Sequence, residues 1–200
     1  MVEMELLPGI GLGLGDEVVR FGDCAGAVRD VLSGSVPVHF ARQCMAPGLG
    51  DYCELRHAHD AWVFGVLFQP SWNFFGAADG VTVSVAGGGP GRNGELARIE
   101  ICRDRDAGEA IAVAWDGIDL FGHSCADVLP VLPGGREPVL APDGSVGVVV
   151  ESLGLQLLRP ATREHWERLV LFSGSTGWAD CCPGICACAA GGDWGAGIFK

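Results

Sequence analysis

The sequence predicts an α+β fold made of two tandem repeats of a strand-helix unit, each packed on an antiparallel β-meander. Three observations predict it. A segment beginning at Phe21-Gly22 can be laid without gaps over one beginning at Phe121-Gly122, an offset of one hundred residues. Each copy reads as a short strand running into a helix with one apolar stripe, followed by β-rich runs divided by turn formers. The 200 residues are 48% hydrophobic, which suffices for a sizeable core in one domain or two closely packed small ones.

In the first copy, residues 17–21 read as a strand that ends at Gly22, and Asp23 offers a side-chain oxygen to cap the helix. Val28, Val31 and Leu32 then fall at i, i+3 and i+4 on one helical face, and Gly34 supplies a left-handed terminator. The glycine-alternating run 9–15 superficially matches a dinucleotide-binding loop. That loop needs a buried strand before it and a helix opening on its glycines. Here residues 4–7 precede and a strand follows, so the run reads as a lead-in to the first strand. Beyond the helix, residues 52–56, 62–68, 81–86 and 96–102 read as strands, with turn formers at 57–60, 76–80 and 87–94.

The second copy opens with residues 110–115 as a strand ending in the hairpin pair Asp116-Gly117, then a strand over 117–121 and a cap at Ser124. Its stripe is Val128, Val131 and Leu132, and Gly134 ends it. Pro130 makes this helix short or kinked, because its ring cannot continue an interior turn without loss of a hydrogen bond. Strands over 145–151 and 155–158 follow the turn Pro142-Asp143-Gly144, and periodicity leaves 163–172 open between helix and strand. Six residues match between the two aligned segments, Phe, Gly, Val, Val, Leu and Gly, where roughly one is expected by chance at a single offset. Strands this short need a helix across the sheet to bury one face. The expected organisation is residues 1–109 as the first repeat, 110–178 as the second and 179–200 as a Cys/Gly-rich tail.

The formal net charge of -12 makes nucleic acid an unexpected partner, since no run of Lys and Arg overrides the acidic field. No apolar stretch is long enough to span a bilayer, and acidic Glu3 and Glu5 stand where a secretory signal would carry positive charge. The expectation is a cytoplasmic protein that engages no membrane. Nine cysteines, an odd count, then read as reduced thiols, most of them small core residues.

Candidate sites are few. Four thiols, Cys181, Cys182, Cys186 and Cys188, fall within eight residues of the tail. Soft thiolates in that density suit zinc or copper, although neither the vicinal pair nor Cys-x-Cys has the usual zinc-knuckle spacing. The alternative is a loop of small buried cysteines, and no other cofactor is expected. Cys53, His57 and His59 could grip a metal at a hairpin, but a closed zinc site wants a fourth ligand, and an ordinary polar hairpin explains them as well. Five histidines supply bases for a nucleophile, yet no local signature places one beside a serine or cysteine, so no catalytic residue is assigned. The stretch 69–75 reads as a ring-rich loop bounded by Pro70 and Gly76. Trp72, Phe74 and Phe75 on it, with Tyr52, are candidates for contact with a protein partner.

A strand, Phe-Gly, a helix with Val-x2-Val-Leu, a glycine and then a meander, done twice at Phe21-Gly22 to Gly34 and Phe121-Gly122 to Gly134, resembles the tandem architecture of β-lactamase inhibitory protein and its relatives. The single unit looks like that of the small outer-membrane assembly lipoproteins. With no secretory signal, lipid-attachment cysteine near the start or paired-disulfide pattern read from these residues, neither a secreted inhibitor nor a lipoprotein is expected. What it implies is a scaffold that binds proteins on its sheet face, as in an intracellular inhibitor or an immunity-type protein. An acidic scaffold would meet a basic partner. The competing readings are a metal- or thiol-binding protein using the tail cysteines, and a hydrolase or transferase whose site lacks a local signature.

Overall fold

A computed structural model of the chain describes residues 3–40, 72–87, 94–104, 110–134, 137–140 and 145–173. Over these residues the fold is mixed α+β, mostly strands, in two sheets. The smaller sheet begins with β1 (Met4–Leu7), β2 (Gly11–Leu14) and β3 (Glu17–Arg20), an antiparallel meander. It continues through β8 (Val113–Trp115) and β9 (Ile118–Asp119), in the order β3-β2-β1-β8-β9. β1 runs parallel to β8 through Met4 opposite Val113 and Glu5 opposite Ala114, so the start of the chain is stitched to its second half. Met4, Leu6, Leu12, Leu14, Val19 and Val113 are all buried on the face that this sheet turns inward.

The run 9–15 is therefore more than a lead-in, because it holds both the β1–β2 turn and β2 itself. Glycine is required at Gly11, where φ is +149° and a Cβ would stand 1.9 Å from the Val19 carbonyl oxygen. The tight β2–β3 pairing leaves no room for any side chain there.

Helix α1 (Ala25–Ser35) follows. Its cap differs from expectation: the N-cap is Cys24, with no side-chain cap bond, and Asp23 instead accepts from the Arg20 amide at 3.1 Å. The cause is a competing pairing. Gly22 N–H donates to Leu96 O, Leu96 N–H donates to Asp23 O, and Cys24 bridges Glu95, which keeps the chain extended one residue longer. The stop also differs. Gly34 lies inside the helix, and the turn ends at Val36, with φ −140°, because the residue before Pro37 is pushed out of the helical region. Val28 and Leu32 are fully buried and Val31 packs at their side, as the stripe predicts.

In the second half Ser124 caps α2 (Cys125–Val128), accepting from the Asp127 amide. The helix lasts four residues and tightens into a 3-10 turn, Leu129–Val131, at Pro130. Val128 and Leu132 are buried, but Val131 is 47% exposed, a correction to the expected stripe. A 3-10 turn advances three residues per turn instead of 3.6, so the i, i+3, i+4 face no longer holds together.

The larger sheet has eight strands in the order β10-β11-β12-β13-β7-β6-β5-β4. Its first four in the chain are β4 (Val38–Phe40), β5 (Trp72–Ala78), β6 (Val81–Gly87) and β7 (Leu96–Arg103). The last four are β10 (Val139–Leu140), β11 (Ser145–Val150), β12 (Leu155–Pro160) and β13 (Arg168–Phe172), so the ambiguous stretch 163–172 ends as a strand. All neighbours are antiparallel, and β7 and β13 meet in the middle with Val170 opposite Glu100. Alternation along the strands puts Val83, Val85, Ile99, Ile101, Leu155, Leu157, Leu169 and Leu171 on the inner, core-forming face. The ring-rich stretch is corrected too, since residues 72–75 belong to β5 and not to a loop.

Candidate functional site

Three places could carry function: the aromatic end of β5, the outer face of the large sheet, and a cleft beside α2.

At the first, the two faces of β5 separate the rings that the sequence groups together. Phe74 is 4% exposed and belongs to the core, and Trp72 lies on the same side, its ring 5.1 Å from that of Phe74 at 30°. The Trp72 indole N–H donates to Gly94 O at 2.5 Å, and its ring covers Gly87, where a Cβ would sit 2.3 Å from it. Trp72 thus fastens β5 and β6 to the start of β7. Phe75 points to the opposite, outer face and is half-buried. Tyr52 lies outside the described residues, as do Cys181, Cys182, Cys186 and Cys188 and the Cys53, His57 and His59 set.

On the outer face, strand register lays Phe75, Ser84, Glu100, Val170, Gln156 and Val149 in one row across six strands. At its middle, two guanidinia meet one carboxylate. Arg98 donates to Glu100 Oε2 from along β7, and Arg168 reaches Glu100 Oε1 at 2.6 Å from across the β7–β13 seam. The Cys102 thiol donates to the same Oε1 at 3.5 Å. Arg98, Glu100 and Cys102 share this face because they alternate with inward Ile99 and Ile101. Glu100 is 7% exposed, Gln156 4% and Val170 0%, so the centre of the face is closed to solvent. Burial there, helped by the Glu100 carboxylate, pushes the Cys102 thiol up to about 12 against the pull of Arg168 and Arg98. The thiol serves there as a hydrogen-bond donor to Glu100. The arrangement locks the seam: removing Glu100 would leave two buried guanidinia facing each other.

The third place is an open cleft of about 290 Å³ where the end of β7 meets the β12–β13 connection and Gly122 in the turn before α2. Arg103 donates to Phe121 O at 3.0 Å, Cys125 N–H donates to Glu164 O at 2.7 Å, and Ser124 bridges His165. Arg103, Arg163 and His165 line the cleft with Asp104, Glu164 and Glu167, and Arg163 pairs with Glu167 at 3.6 Å. Basic and acidic side chains both line it, which favours no single charge class of small ligand. Beside it, burial pushes the Cys125 thiol up to about 11, opposed by the Arg159 guanidinium. The exposed thiol among the described residues is Cys24, at the start of α1. Among the described residues no three His, Cys, Asp or Glu side chains are grouped to hold a metal ion.

The chain matches no family model, no curated protein sequence and no solved structure. Sequence reasoning missed the Arg98–Glu100–Arg168 cluster. The i, i+2, i+4 alternation of Arg98, Glu100 and Cys102 against two isoleucines is a signal for a polar sheet face. The partner Arg168 is not legible that way, because it arrives through a pairing of strands some seventy residues apart.

Proposed function

We propose that this chain is a non-enzymatic protein-binding scaffold built from two copies of one strand-helix-meander unit, acting on a basic protein as an inhibitor or immunity-type protein does. The observation that carries the reading is the strand order of the large sheet, β4-β5-β6-β7 on one side of the seam and β13-β12-β11-β10 on the other. Two copies joined about a twofold axis between β7 and β13 would produce this palindrome. The order of the small sheet is consistent with duplication, since β2–β3 and β8–β9 flank β1 and each leads through Phe-Gly to a helix. Cys24 and Ser124, one hundred residues apart, each make an isolated bridge just before that helix. Val28 and Val128 are both fully buried, and Leu32 and Leu132 follow them into the core.

Protein binding is the function that the resemblance attaches to such a scaffold, and the net charge of -12 selects a cationic partner. The test is affinity purification of the full chain from its own cells at low ionic strength, followed by elution in a salt gradient. The reading expects one basic protein in stoichiometric amount; recovery of the chain alone at low ionic strength overturns it.

A further inference from the structure

We draw no further inference here: the strongest candidate, the pair of exposed apolar side chains Val139 and Leu140 on the β10 edge strand of the large sheet, carries nothing because nothing in the structure shows what covers it.

Discussion

Replacing Leu32 by Ala removes three carbons from a side chain that is 0% exposed and sits in the α1 stripe against the core. At about 0.8 kcal/mol per buried methylene, the transfer loss is about 2.4 kcal/mol. The helix is held by β3, β4 and β5 around it and cannot collapse fully into the gap, so a cavity term raises the expected cost to ~3–5 kcal/mol. Leu132→Ala, at 5% exposure in the second half, should cost ~2–4 kcal/mol, whereas Val131→Ala, at 47% exposure, should cost under ~1 kcal/mol. Urea unfolding followed by circular dichroism measures all three, and an unchanged m-value shows that the comparison is one of stability alone. A loss below ~1 kcal/mol for Leu32→Ala, or a Val131→Ala variant as unstable as it, would refute the assignment of the two stripes.

Other outcomes follow from the same structure. Gly11→Ala should cost at least ~2 kcal/mol, because the new methyl would meet the Val19 carbonyl in a left-handed backbone; a thermal melt within error of the parent would contradict this. Glu100→Ala should cost ~3–5 kcal/mol by leaving Arg98 and Arg168 facing each other, and the added change Arg168→Met should restore part of the loss; denaturant titration of both variants checks the pair. For Cys102 and Cys125 the folded thiols ionise above the ordinary 9.0, so above that pH the unfolded chain releases protons that the folded chain keeps. Stability should hold below about pH 9 and fall as pH rises toward 11, and Cys102→Ser with Cys125→Ser should flatten that fall. Iodoacetamide labelling read by peptide mass spectrometry at pH 8 should modify Cys24 well before Cys102 and Cys125, and equal rates would count against their burial.

How far the sequence could be read depends on the range of the interaction behind each element. Residues 81–86, 96–102 and 145–151 were legible as strands because β-branched residues alternate there between recognisable turns, and Asp116-Gly117 adopts the positive φ angles of the hairpin turn expected of it. The helix stripe at Val28 and Leu32 was legible from spacing alone. The cap at Asp23 failed because a remote strand, reached through Leu96 and Glu95, competes for that stretch of backbone. Val131 failed because Pro130 changes the helical period within one turn. The candidate site fared worse for the same reason. Rings adjacent in sequence at Trp72, Phe74 and Phe75 part onto two faces once β5 forms, and the Glu100 cluster exists only after β7 finds β13.

The salt dependence of association with any basic protein that co-purifies tests the proposed binding role most directly. Opposite charges accelerate encounter at low ionic strength, and a Debye length of about 30 Å at 0.01 M shrinks to about 8 Å at 0.15 M. Surface plasmon resonance across that range should show the association rate falling about tenfold or more while the dissociation rate changes little. An association rate indifferent to salt, or one that rises with it, would contradict the account.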